Sequence, residues 1–235
     1  MGIHCRQGDQ ALRKTGKAFR TIWQKPGNPE VVQIIDQRRL PHEYVVTDLE
    51  TWQDGADAIR DMLVRGAPLI GATAAWSLYL AALAHRDSAD PAGAVIDAAA
   101  ALAETRPTAI NLRWALDRML KVIRNVEPTD LIGTLAQEAT AICDEDVEIS
   151  RQIGLHGLLL IEEIASRRNG EPVNILTHCN AGSLATINYG TATAPVYFAH
   201  AKGIPVHVWV DETRPRNQGS QLTAWELAEN GVPHT

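Results

Sequence analysis

Val173-Asn174-Ile175-Leu176-Thr177-His178-Cys179-Asn180-Ala181-Gly182 is the stretch on which the fold of this chain turns. The run from Val173 to Thr177 has the apolar, β-branched character of a buried strand, and Asn180-Ala181-Gly182 ends it with turn chemistry. Downstream, residues 193–202 read as a helix, and Gly203-Ile204-Pro205 leads into a second strand, Val206-His207-Val208-Trp209-Val210. Residues 221–230 read as another helix ended by Gly231, after which Val232-Pro233-His234-Thr235 begins a third strand. Alternation of strand and helix predicts a parallel, doubly wound α/β sheet, whose ligands bind at the carboxyl ends of the strands. Those ends hold His178–Gly182 and Asp211-Glu212-Thr213-Arg214. A strand that only begins at Val232 is expected to continue in a longer protein, so this sheet reads as incomplete.

Upstream of residue 172 the character is different. Residues 65–170 read as helical throughout. Pro68 suits the first turn of a helix reaching Ala84, and residues 94–104 are rich in alanine. Thr108 is the expected cap of a helix over 109–124, and Thr129 of one starting near Leu131. A further helix over 146–168 is expected to stop at Asn169-Gly170. The first 50 residues read as short strands, Val31–Asp36 and Tyr44-Val45-Val46, separated by Leu40-Pro41. Thr51 or Asp54 then caps a helix carrying Ala56, Ile59, Met62 and Leu63. The expected organisation is a strand-and-helix domain over 1–170, followed by the first part of a parallel-sheet domain over 171–235.

With 235 residues, 45% hydrophobic and 21% charged, the chain has enough apolar content for a proper core, which excludes disorder and a coiled-coil rod. A net charge of −6 argues against nucleic acid as partner. The exception is the basic segment Arg6, Arg13, Lys14, Lys17 and Arg20, read as a solvated arm. Three cysteines, Cys5, Cys143 and Cys179, without CxxC spacing point to a reduced, cytoplasmic compartment. No apolar run follows the basic N-terminus, so no secretory signal is expected. The uncharged run from Ala67 to Ala84 is dominated by small residues and falls just short of a hydrocarbon core roughly 30 Å thick. A buried core helix is expected there, not a membrane span.

Several short motifs carry chemistry. Cys179 follows a strand and precedes a loop rich in backbone N–H groups, which would expose a thiol to ligand and favour its thiolate; a buried structural cysteine is the alternative. His178 points to the opposite face of a continuing strand, so a Cys–His pair is not expected. His178, Cys179 and His207 lack metal-site spacing. Arg65-Gly66-Ala67-Pro68 sets an arginine before a helix N-terminus, a natural anion site, and Thr105-Arg106-Pro107-Thr108 repeats the arrangement. A plain turn and a surface arginine are the respective alternatives. In Asp211–Gly219 the charges either neutralise one another or orient a polyol, with Gln218 suited to sugar hydroxyls. No GxGxxG follows a strand, and no P-loop, HExxH or GxSxG is present.

These motifs occur in a telling order: Arg65-Gly66-Ala67-Pro68 with Ile70-Gly71, Thr105–Leu112, Thr177–Gly182, Asp211–Pro215 with Gln218-Gly219, and Leu222–Leu227. Together they resemble the methylthioribose-1-phosphate isomerase family, within the superfamily of the translation-initiation exchange factor alpha, beta and delta subunits. The resemblance runs from about Phe19 to Thr235. It implies a Rossmann-like C-terminal domain and an active site between the two domains. The implied reaction is aldose-to-ketose isomerisation of 5-methylthioribose 1-phosphate in methionine salvage, with no metal or other cofactor, in a cytoplasmic homodimer without nucleic-acid or membrane partners. Residue by residue, it assigns Cys179 to catalysis and Arg65, Gly66, Ala67, Arg106 and Gln218 to substrate binding. The family's proton-donating aspartate, in an Asp-Asn-Met-Ala type of motif, has no match in these residues and is expected beyond the strand begun at Val232. Without it the chain alone is expected to be inactive. A related isomerase acting on 5-deoxyribose 1-phosphate or ribose 1,5-bisphosphate and a non-catalytic regulatory subunit are the alternatives; Cys179 in its His-Cys-Asn-Ala-Gly setting speaks against the latter.

Overall fold

The structure is a computed structural model that describes residues 20–124 and 126–235. The basic residues Arg6, Arg13, Lys14 and Lys17, together with Cys5, lie outside the described residues. The chain forms two compact units, Thr21–Asp146 and Val147–Thr235. The division falls within a helix rather than at the change of sequence character near 170.

In the Thr21–Asp146 unit, β1 (Ile22–Lys25), β2 (Asn28–Ile35) and β3 (Val46–Leu49) form an antiparallel sheet with β2 in the centre. Ile22 pairs with Ile34 and Val32 with Leu49, so these buried side chains share the core face. Helix α1 (Trp52–Arg60) opens on a complete capping box between Thr51 and Asp54. Helix α2 (Ala67–Ala84) is buried continuously from Leu69 to Leu83. By length and composition α2 is apolar enough to cross a membrane, yet 83% of it is buried; a helix that is hydrophobic all round is what the centre of a helical layer requires. It packs against α1, α3 (Pro91–Ala103) and α4 (Ile110–Ile123).

Three sequence expectations change here. Helix α1 ends at Arg60, and Met62, at φ +61°, and Leu63 lie beyond it because the left-handed residue stops the helix. Thr108 does not cap α4; the N-cap is Ala109, without a side-chain hydrogen bond. The helices expected near 131 and over 146–168 are one helix, α5 (Leu131–Ser166), entered through a 3-10 turn at Pro128–Asp130. No glycine or proline stop separates the two periodic stretches, so backbone hydrogen bonding runs straight through them. The predicted stop after α5 does form, with Asn169 and Gly170 both at positive φ.

In the Val147–Thr235 unit, β4 (Val173–His178) pairs in parallel with β5 (Val206–Asp211), and α6 (Ala194–Ala201) links them. A π-helical turn (Gly219–Thr223) runs into α7 (Ala224–Glu229). The chain then returns alongside β5: Val208 and Val210 donate to the Pro233 and Thr235 carbonyls, and Thr235 donates back to Val208, each at 2.9 Å. One sheet face, with Val173, Val206 and Val208, forms a core with Tyr197, Phe198, Leu227 and Ile161. The other face carries Leu176 (69% exposed) and Trp209 (46%). The strand at 173 is therefore buried on one face only, because helices among the described residues cover one side of the sheet.

Candidate active site

Cys179 leaves β4 with φ +64°. Left-handed backbone is uncommon for a residue with a Cβ, and here both of its peptide groups are tied down. The Cys179 N–H donates to the Asp211 carbonyl at 3.3 Å, and its carbonyl accepts from the Thr223 hydroxyl at 2.6 Å. The thiol is half-buried. His178 is exposed and approaches the Thr213 hydroxyl at 3.1 Å through Nε2, apart from Cys179 chemistry.

Below this turn lies a carboxylate to which the sequence reading gave no role. Glu226 of α7 is fully buried. Its Oε1 accepts from Asn180 Nδ2 at 3.1 Å and the Leu184 N–H at 2.8 Å; its Oε2 accepts from the Ser183 N–H at 2.9 Å and the Tyr197 hydroxyl at 3.1 Å. Burial pushes the Glu226 carboxyl above the ordinary range, against the pull of these donors. Burial and the neighbouring Glu226 likewise push the Tyr197 phenol up. Gly182 is required for the approach, since a Cβ there would overlap Glu226 Oε2. The one signal in the sequence was a glutamate within the apolar Leu222–Leu227 stretch.

Gln218 immediately precedes the π-helical turn, and its Oε1 is buried without a hydrogen-bond partner among the described residues. Gly219 lets the turn close on β5, for a Cβ there would lie 2.5 Å from the Asp211 carbonyl oxygen. Glu212 accepts from the Thr213 and Gly219 N–H groups at 2.8 Å and from Ser220 at 3.2 Å. Despite some desolvation, these bonds hold its carboxyl below the ordinary range. The Asp211–Gly219 loop is thus fastened through backbone amides.

Arg65, Gly66, Ala67 and Arg106 belong to the Thr21–Asp146 unit. Gly66 is the N-cap of α2 with φ +93°, a conformation suited to glycine, and Ala67 opens the helix. Arg65 is buried and donates to the Gln37 carbonyl at 2.8 Å. Arg106 is half-buried, and its carbonyl accepts from the N–H of Ala109, the N-cap of α4. Neither α2 nor α4 has a side-chain cap, whereas α1 is capped by Thr51 and α3 by Asp90. The start of α4 packs against α2 one turn in from its N-terminus: a Cβ at Gly71 would lie 2.9 Å from the Asn111 carbonyl oxygen. Two arginines and two uncapped helix N-termini on one unit make an arrangement suited to a phosphate or another anion.

An α/β fold with a strained cysteine at the end of a parallel strand and a basic pair of helix starts defines the class. The model of the initiation factor 2 subunit family matches residues 63–235, and the chain belongs to that family. Within it, the chain is 53% identical over 227 residues to the methylthioribose-1-phosphate isomerase of Desulfatibacillum aliphaticivorans, covering 95% of this chain and 61% of that one. The chain therefore spans about three fifths of the length of this relative. The crystal structure of 5-methylthioribose 1-phosphate isomerase from Pyrococcus horikoshii superposes with a TM-score of 0.83 at 38% identity, over 93% of this chain and 60% of that one. The delta subunit of translation initiation factor eIF-2B from A. fulgidus does so with 0.79 at 36% identity, over 92% and 61%.

Proposed function

We propose that this chain is the greater part of an aldose–ketose isomerase converting 5-methylthioribose 1-phosphate to 5-methylthioribulose 1-phosphate. The observation that carries the reading is Cys179, held in left-handed backbone at the carboxyl end of β4 by bonds to both of its peptide groups. Strain of this kind persists where the surroundings over-determine it, as at reacting centres.

The chemistry suits these residues. A phosphate on the anomeric carbon locks the sugar ring, so ring opening must precede hydrogen movement between C2 and C1. Arg65, the α2 N-terminus at Gly66 and Ala67, and Arg106 are assigned to the phosphate, and the free acceptor of Gln218 to a sugar hydroxyl. Cys179 is assigned to proton movement at C1 and C2 or to stabilising the charge that develops there. The acid acting at the ring oxygen is assigned to the segment by which the relatives exceed this chain. A homodimer in the cytoplasm belongs to the same reading; the exposed Ile149 and Leu160 of α5, which share an apolar groove with Pro195, support the dimer.

The test uses this chain extended with the remaining segment of the Desulfatibacillum relative, assayed by ketose formation. Cys179→Ser is expected to lower turnover at least about 100-fold with the thermal midpoint unchanged. Arg65→Ala is expected to weaken substrate binding about 10- to 150-fold in titration calorimetry. Normal turnover in the serine variant would remove Cys179 from the chemistry, and unchanged affinity in the alanine variant would remove Arg65 from the phosphate site.

A further inference from the structure

Glu226 is the one buried carboxylate among the described residues of its unit, and the groups around it lead to Cys179. Asn180 Nδ2 donates to Glu226 Oε1 and to Thr223 Oγ1, each at 3.1 Å. Thr223 in turn donates its only hydroxyl proton to the Cys179 carbonyl at 2.6 Å. The direction of this chain is fixed at one end. Both Glu226 oxygens already accept backbone N–H groups, Oε1 from Leu184 and Oε2 from Ser183, so the Asn180 amide turns its NH2 toward Oε1, and the same NH2 supplies Thr223. Thr223 Oγ1, already an acceptor, is left to donate onward. Reversing the Asn180 amide would set its carbonyl against the carboxylate. Meanwhile the Ser183 and Leu184 N–H groups pin the far side of the turn to the same carboxylate.

We propose that Glu226 is a positioning residue that holds Cys179 in its left-handed conformation through Asn180 and Thr223, and so presents the thiol to the substrate. The inference rests on the assignment of Cys179 to catalysis made above.

The experiment reads Cys179 directly, without substrate, in the 235-residue chain. Alkylation by iodoacetamide is followed by peptide mass spectrometry between about pH 6 and pH 9, across the ordinary thiol titration, with buried Cys143 as the internal reference for global opening. Thr223→Val is expected to lower the Cys179 rate about fivefold, the population shift that one lost hydrogen bond carries, while the Cys143 rate is unchanged. Glu226→Gln, where it folds, is expected to act in the same direction, and Thr223→Ser to restore the parent rate. A Thr223→Val rate equal to or above the parent's, a change shared by Cys143, or no restoration by Thr223→Ser would overturn the proposal. In the extended chain, Thr223→Val is expected to lower kcat about tenfold with KM within about threefold. A parent that forms no ketose sinks the isomerase reading, while the alkylation rates still judge the positioning chain.

Discussion

A helix of one unit and a turn of the other satisfy their buried polar groups in different ways. In α2, the central helix of the Thr21–Asp146 unit, Thr73 and Ser77 donate back to the carbonyls of Leu69 and Thr73, one helical turn away, at 2.8 and 2.7 Å. In the Val147–Thr235 unit, Asn180 and Ser183 reach Thr223 and Glu226, each 43 residues distant. Backbone strain follows the same division. Among the described non-glycine residues, Cys179, Tyr189, Asn217 and Asn169 take positive φ in the second unit, and Met62 alone does so in the first. Local satisfaction builds a tolerant core. Long-range satisfaction builds a turn whose geometry depends on several distant groups at once, as a reacting site requires.

The sharpest way to break this contrast is to insert a methyl group at the tightest point of the second unit. Gly190 has φ +78°, and a Cβ would lie 2.5 Å from the Gly182 backbone. Gly190→Ala is expected to cost about 3 kcal/mol or more, from left-handed strain together with overlap against main chain. It should appear in urea denaturation as early loss of the Val147–Thr235 unit. An unshifted midpoint would mean that this unit yields as readily as an ordinary loop.

A smaller effect is expected from the matching insertion in the first unit. At Gly71 the added Cβ meets the Asn111 carbonyl oxygen at 2.9 Å and Ala115 Cβ at 3.5 Å. The backbone there is helical, so alanine recovers about 1 kcal/mol of helix propensity. Gly71→Ala should therefore cost a net ~1 kcal/mol, set by how far α2 and α4 separate. A loss as large as at Gly190 would erase the distinction between the units.

The finest test uses pH. Burial raises the folded-state pKa of Glu226, so the native state holds this proton more tightly than the unfolded chain. Its contribution to stability is complete below the ordinary carboxylate pKa of 4.5 and is lost as pH rises from there through the raised folded value. Asp36, in the first unit, behaves oppositely. Its burial is outweighed by bonds to the Arg38 side chain and N–H, its pKa is lowered, and its contribution is lost as pH falls. Thermal midpoints of the parent relative to Glu226→Gln should therefore decline as pH rises above about 4.5. A difference independent of pH would show that Glu226 titrates as an exposed carboxylate does.

Much of the fold was legible because its signals are local. The capping box at Thr51, the stop at Asn169-Gly170 and the turn at Gly203 each depend on neighbours within a few residues. The misreadings occurred where local signals compete. Thr108 has the chemistry of a cap, yet α4 starts from Ala109 with no side-chain cap, leaving the helix end open beside Arg106. Two periodic stretches read as separate helices join into α5, because nothing between them terminates hydrogen bonding.

At the site the same boundary appears. The sequence alone determined that a cysteine stands at the end of a parallel strand, that arginines precede two helix starts, and which family these motifs resemble. It did so because strand, turn and helix-start chemistry is written in contiguous residues. Only the tertiary structure decided that Glu226 lies beneath the Cys179 turn and that Thr223 holds its carbonyl. It likewise decided that the start of α4 packs against α2 at Gly71. A buried carboxylate is defined by the donors that surround it, and here those donors come from segments separated by as many as 46 residues; no local pattern encodes such a meeting, because packing alone brings the partners together.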